Sequence, residues 1–321
     1  MDKSASKSGI PISTLSRWGV STALLLGLLW WLGPTSAFLA FQSAQPQWIG
    51  LALVVGTIQV FASAWRWRFT AQCLGLDLSY RKAVREYYLA SFINQVLPGG
   101  VVGDLYRAKR HSDSTETRAP AWQAVMVERF SGQLVLMLLT LCVVLASPLW
   151  RELLWSFSET RGPIGLIVLL VITAVLVGLV LGRQHVGLRR AFDFVGVAMS
   201  QSFWPMDRLV IQLIGSTLIV STYVGVFVLA ARASGIELPV LTIAALAPPL
   251  LLSMVVPITV AGWGLREWVA ALSWGAVGLD PAQGVAVSVT YGALIFLTAL
   301  PGVVMWRDQR KPNSIKSSSP H

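Results

Sequence analysis

Two broken apolar stretches decide the fold: FINQVLPGGVVGDLYRAKR at residues 92–110 and VVPITVAGWGLREW at residues 255–268. Both contain proline and several glycines, which an unbroken helix does not tolerate. Such a segment can enter a membrane as a half-helix and turn back, provided that protein buries the backbone groups freed at the break. We therefore predict two re-entrant hairpins. Their break residues are Pro98, Gly99, Gly100, Gly103, Pro257, Gly262 and Gly264.

The composition of the 321-residue chain is that of a membrane protein. Hydrophobic residues make up 55% and charged residues 12%, about half the charged share of soluble proteins, and the mean hydropathy is +0.64. This disfavours a soluble enzyme, a disordered chain and a disulfide scaffold. The net charge of +10 favours an anionic lipid surface as partner rather than nucleic acid, because the chain is so apolar.

Signatures of catalysis and metal binding are missing from the sequence. The two cysteines and three histidines have no metal-ligand spacing. The chain contains no P-loop and no Ser–His–Asp pattern. We therefore predict no catalytic residue, no metal and no cofactor.

Long uncharged runs predict six complete spans, since a membrane-crossing helix needs about 20 apolar residues. The predicted spans are residues 18–40, 48–65, 122–150, 162–182, 209–231 and 281–306. Tryptophans lie near several of their ends, as interfacial anchors do. The predicted fold is all-α: a polytopic integral membrane protein with about six spans and two re-entrant hairpins.

An internal repeat relates the two hairpins. A shift of 159 residues superimposes the valine, proline, glycine and arginine at positions 96, 98, 103 and 107 on those at positions 255, 257, 262 and 266. Each half, at about residues 17–147 and 163–306, then contains two spans, a hairpin and a span. Three crossings are an odd number, so the halves have opposite orientation. Inverted repeats with paired breaks are typical of transporters, whose site lies near the membrane midplane.

The distribution of cations predicts the orientation of a membrane domain at residues 17–310. With both termini in the cytoplasm, 20 of the 25 Lys and Arg residues lie on the cytoplasmic side and three outside, as the positive-inside rule requires. Residues 1–16 and 311–321 are then cytoplasmic tails. We predict a multi-pass protein of the cell inner membrane.

Ionisable residues at membrane depth are the candidate site, because they are costly there and usually face a cavity or a partner. Guanidinium and amide groups can bind phosphate, so we predict lipid-headgroup contacts from Asn94, Arg107, Arg129 and Arg266. The predicted charge partners are Asp104, Glu128 and Glu267. Structural roles remain open: Arg107 as a juxtamembrane cation, Glu128 and Arg129 as ion-pair members, Asn94 as a backbone cap, and the glycines in helix packing.

The two hairpin motifs, together with VMVERFSG at residues 125–132, resemble hallmark segments of the lysylphosphatidylglycerol synthase transmembrane region, a flippase-like integral membrane family. The resemblance covers about residues 17–310 and draws attention to the same candidate residues. It implies lipid translocation between leaflets. Bifunctional members add a soluble aminoacyltransferase domain; because this chain ends at His321 without one, synthase activity is not expected.

The expected function is translocation of an anionic or phosphate-bearing lipid across the inner membrane. Two alternatives remain: a membrane-embedded transferase or accessory subunit in lipid or lipid-linked glycan biosynthesis, and a non-catalytic scaffold. Membrane lipids are the expected partners, nucleic acid is not, and the candidate protein partners are a lipid- or glycan-modifying enzyme and a second copy of the chain.

Overall fold

The computed structural model describes residues 45–97, 100–150, 186–204, 206–255 and 259–309, with a few isolated positions nearer the N-terminus. Within these ranges the chain is helical and has no strand. The predicted spans at 18–40 and 162–182 and both predicted tails lie outside the described residues. So do Pro98, Gly99 and Pro257.

Ten helices make up the described residues. They are α1 Pro46–Cys73, α2 Tyr80–Val96, α3 Val102–Ser112, α4 Arg118–Ala146, α5 Val186–Phe203, α6 Met206–Ala233, α7 Val240–Ser253, α8 Leu265–Ala276, α9 Pro281–Ala299 and α10 Pro301–Gln309. Within the described residues, four stretches are long and apolar enough to cross a membrane: α1, α4, α6 and the stretch Pro281–Met305 through α9 into α10. Each contains most or all of one predicted span.

The first of these helices is longer than predicted, and the reason is an ion pair. The uncharged run ends at Arg66 and therefore predicts that the span ends at residue 65. Instead α1 continues to Cys73, and Arg66 is buried within it beside Glu128. A cation that has a buried counter-charge does not need water, so it need not end a span.

Both hairpins consist of two short helices separated by a break. The first break separates α2 from α3 at residues 97–101, and the second separates α7 from α8 at residues 254–264. The longest of these four helices has 17 residues, or about 25 Å, against a hydrocarbon core of about 30 Å. These lengths suit half-helices, and their insertion into the membrane remains a prediction.

The packing of the helices follows the internal repeat. The first long helices of the two halves, α1 and α6, pack against each other. Helix α1 also packs on α2, α4 and α9, and α6 packs on the corresponding α7, α9 and α4. Each hairpin further contacts the last span of the opposite half, α2 on α9 and α7 on α4. The two halves are therefore interlocked around the α1–α6 contact.

The helix boundaries correct one equivalence drawn from the 159-residue shift. Helices α1 and α6 begin 160 residues apart, but α3 and α8 begin 163 residues apart, because the second break is longer. Arg107 is consequently the sixth residue of α3, whereas Arg266 is the second residue of α8. The residues at matching positions are the carboxylates Asp104 and Glu267, each the third residue of its helix.

Candidate functional site

Five charged side chains meet where α1, α3 and α4 pack together. They are Arg66, Asp104, Arg107, Glu128 and Arg129, and we call them the ion cluster. All but Arg129 are buried. Charges so far from water are tolerated only when each one is paired and hydrogen-bonded.

Glu128 is the centre of the ion cluster. Its Oε1 accepts a hydrogen bond from Arg66 Nη2 at 2.6 Å, and its Oε2 accepts one from Arg107 Nη2 at 2.5 Å. The Tyr87 hydroxyl lies 3.4 Å from Oε1. Glu128 therefore joins α1, α3 and α4, and no part of its side chain is exposed.

Asp104 holds the other side of the cluster. Arg107 Nε donates to it at 3.0 Å, and Arg129 Nη2 lies 2.6 Å from its Oδ2. Glu128 and Arg129 are adjacent on α4 and point in different directions: Glu128 pairs with Arg66 and Arg107, whereas Arg129 pairs with Asp104.

Asn94 closes the first hairpin at its break. Its amide nitrogen donates to Asp104 at 3.0 Å, and its amide oxygen accepts from the Gly103 backbone N–H at 2.7 Å. The second bond satisfies a backbone donor in the first turn of α3, where helices leave such groups without partners. Gly103 must be glycine there, because a Cβ would overlap the Ala90 carbonyl group of α2.

Arg107 is enclosed by aromatic rings as well as by carboxylates. Its guanidinium carbon lies 4.7 Å from the ring centre of Trp67 and 4.6 Å from that of Tyr87. Such cation–π contacts stabilise a desolvated guanidinium. The side chain has no exposed surface, so Arg107 holds the cluster together from inside.

Arg129 is the accessible member of the ion cluster. Its side chain is 38% exposed, although its Nε is buried and, like Arg66 Nε and Arg107 Nη1, has no hydrogen-bond acceptor among the described residues. With every member ionised, three arginines face two carboxylates, which leaves one positive charge in excess. Of the three arginines in the cluster, Arg129 is therefore the one through which the excess charge reaches the surface.

The second hairpin contains a separate ion pair, Arg266 with Glu267. Glu267 Oε1 accepts from Arg266 Nη2 at 2.7 Å and from Ser288 at 2.9 Å, and its Oε2 accepts from the Gly264 backbone N–H at 2.7 Å. Glu267 thereby caps the start of α8. Gly262 and Gly264 have φ of 82° and 88°, a region that favours glycine.

Arg266 is fully packed between the second hairpin and α9. Its guanidinium carbon lies 5.1 Å from the Trp263 ring centre and 5.5 Å from that of Tyr291. Gly292 provides the space for it, because a Cβ there would overlap the guanidinium. This pair is electrically neutral and almost wholly buried, unlike the ion cluster.

We predict that Glu267→Gln lowers the free energy of unfolding by about 3 kcal/mol, because it leaves the buried Arg266 without a counter-charge. Thermal unfolding of the detergent-solubilised protein measures the effect. Glu237→Gln is the matched control, since Glu237 is exposed near the start of α7. Equal melting temperatures for the two variants would contradict the role given to Glu267.

The structure thus divides the predicted site residues into two groups. Asn94, Asp104, Arg107, Glu128 and Arg129 come together, whereas Arg266 and Glu267 form the second pair. Several contact residues were missed, namely Arg66, Trp67, Tyr87, Ser216, Ser288 and Tyr291. Of these, only Arg66 could have been found from the sequence, because it directly follows the predicted span 48–65 and would lie inside a slightly longer helix. Among the described residues no group of His, Cys, Asp and Glu is arranged to hold a metal.

Residues 18–302 match the family model described as the lysylphosphatidylglycerol synthase TM region. The chain belongs to this family. The match includes both hairpins, the ion cluster and the Arg266–Glu267 pair. It confirms the resemblance seen in the three motifs and makes the chain a membrane protein of lipid biosynthesis or translocation. No significant match was found among curated proteins or among solved structures.

Proposed function

We propose that the protein translocates a lipid with an anionic phosphate headgroup between the leaflets of the inner membrane. The observation that carries the proposal is the ion cluster, with its excess positive charge and its half-exposed Arg129. Family membership supports lipid as the substrate class.

The charge balance of the cluster favours a monoanionic ligand. An uncompensated charge is expensive in a membrane interior, so a ligand that brings one negative charge would be favoured there. A phosphodiester headgroup carries one negative charge. Guanidinium groups bind phosphate oxygens with directed donors, and the Arg129 side chain is 38% exposed.

The position of Arg129 also suits a headgroup on its way across the membrane. It is eleven residues beyond the start of α4 at Arg118, or roughly 16 Å along the helix axis. The neighbouring Phe130 is 48% exposed, so an apolar surface adjoins the cation. A headgroup at Arg129 can leave its acyl chains among the membrane lipids.

The remaining candidates then position Arg129 rather than touch the lipid. Asn94, Arg107 and Arg266 are at most 8% exposed, and their hydrogen bonds hold the two hairpins in place. We propose that the two halves are inverted, with the cation-rich side and both termini in the cytoplasm.

Translocation is tested in liposomes that contain the purified protein and a trace of fluorescent phospholipid. A membrane-impermeant reductant bleaches the outer leaflet, so only lipid that changes leaflet is bleached later. We expect faster loss of fluorescence for phosphatidylglycerol than for phosphatidylcholine, with unchanged lipid masses. Rates equal to those of protein-free liposomes would refute the proposal, and a changed lipid mass would favour a transferase instead.

A further inference from the structure

A second basic feature lies outside the ion cluster, in a groove between α1, α2 and α10. The groove has a volume of about 470 Å³ and is lined by Phe61, Tyr80, Arg81, Val84, Arg85 and Met305. Arg81 and Arg85 are four residues apart on α2 and therefore share one face of the helix. Phe61 of α1, Val84 of α2 and Met305 of α10 supply the apolar part of its lining.

The two groove arginines differ from the basic residues around them in having no hydrogen-bonded partner within the part of the chain that the structure describes. Neither forms an ion pair or a side-chain hydrogen bond among the described residues. Nearby, Arg68 donates to the Leu78 carbonyl and Lys82 donates to Ser114. Glu86, the one carboxylate on α2, is buried and pairs with Arg110 at 3.1 Å. Among the described residues, the groove therefore presents two guanidinium groups that no carboxylate bonds to, although Arg85 is within electrostatic range of the buried Glu86.

The groove lies at the edge of the membrane-spanning region. Met305 is the last residue of the apolar stretch Pro281–Met305, and Tyr80 begins α2 after the loop that follows α1. The Tyr80 hydroxyl donates to the Phe61 carbonyl at 3.2 Å. Partial burial raises the pKa of this hydroxyl above its ordinary value, so Tyr80 stays neutral.

We propose that this groove binds an anionic phospholipid of the adjoining leaflet. Its phosphate lies between Arg81 and Arg85, and an acyl chain follows Phe61 and Met305. Charge complementarity selects an anionic headgroup, because the groove holds two unpaired cations. The apolar part of the lining selects a lipid over a soluble phosphate, because Phe61 is 41% exposed beside the cations.

The groove deepens the proposed function by supplying a place where lipid is collected before it reaches Arg129, and that part rests on translocation being correct. Binding of a phospholipid in the groove does not depend on translocation. A protein that binds phosphatidylglycerol in the groove and moves no lipid would refute translocation and leave the groove assignment standing.

Native mass spectrometry of the detergent-solubilised chain, with phosphatidylglycerol or phosphatidylcholine added, tests the groove. We expect the R81Q/R85Q variant to bind phosphatidylglycerol about thirtyfold more weakly than the wild type, since each basic residue near an anionic lipid contributes about fivefold. Phosphatidylcholine binding should not change. The matched control is K109Q/R118Q, which removes two exposed cations from outside the groove.

Three outcomes would overturn the assignment. The first is equal phosphatidylglycerol binding by R81Q/R85Q and the wild type. The second is equal loss in both double variants, which would show a general effect of surface charge. The third is full displacement of the lipid by equimolar glycerol phosphate, which would make the groove a site for soluble phosphate. Unchanged melting temperatures establish that the variants are folded, and the single variants R81Q and R85Q replace the double variant if it does not fold.

Discussion

Replacing Glu128 by glutamine is expected to lower the free energy of unfolding by about 5 kcal/mol, near the upper end for breaking a buried ion pair. The effect is large because one carboxylate serves two cations, at 2.6 Å from Arg66 and 2.5 Å from Arg107. Glutamine keeps the shape of the side chain but cannot offset either charge. The excess charge of the ion cluster would rise from one to two.

Denaturant or thermal unfolding in detergent measures this loss. Glu116→Gln is the matched control, because Glu116 is exposed in the loop before α4. The double variant R66M/E128Q should be less destabilised than the sum of its single variants, since it removes one of the two stranded cations. Two results would show that Glu128 does not hold the cluster together. One is a loss of stability in R66M/E128Q equal to the sum of the losses in the two single variants, and the other is an E128Q variant as stable as E116Q.

Replacing Arg129 by glutamine is expected to slow lipid translocation about a hundredfold, which corresponds to roughly 3 kcal/mol for hydrogen bonds to a charged group. The substitution removes the excess positive charge and the exposed donors together. The fold should survive, because Asp104 keeps its bonds to Arg107 and Asn94. The liposome bleaching assay measures the rate, and the melting temperature reports on folding.

Two further variants separate a headgroup contact from a general effect of charge. Arg129→Lys should recover part of the rate, since it restores the charge without the directed fork of guanidinium donors. Arg118→Gln removes an exposed cation from the start of the same helix and should leave the rate unchanged. A folded R129Q variant with the wild-type rate would exclude Arg129 from the translocation path.

Membrane character, helical content and the positions of the breaks could be predicted because each depends on local sequence. An apolar run near residues 209–231 has to be a long helix in a bilayer, since a helix satisfies its own backbone groups. The two breaks between helices fall where the sequence clusters proline and glycine, at residues 97–101 and 254–264, although α7 continues through Pro248 and Pro249. For this reason the runs matched α1, α4, α6 and the stretch Pro281–Met305 closely, apart from their ends.

The roles of individual charges could not be predicted in the same way, because they depend on which helices are neighbours. In sequence, Arg66 is one more cation after an apolar run and Glu128 stands beside Arg129. In the structure Arg66 is buried against Glu128, across 62 positions of the chain, and Arg129 turns to Asp104. The 159-residue shift paired Arg107 with Arg266 for a related reason: identical letters were aligned, although the helices that carry them begin at different offsets.

What the sequence by itself determined is a helical membrane protein with two broken hairpins, because hydropathy and helix breaking act within a few residues. What only the tertiary structure decided is which cation remains available. All four arginines of the two ion-paired sites have a carboxylate partner, but packing buries Arg66, Arg107 and Arg266 and leaves the Arg129 side chain 38% exposed. A buried charge is stable only when a specific neighbour offsets it. The excess positive charge at Arg129 therefore depends on which helices the fold brings together.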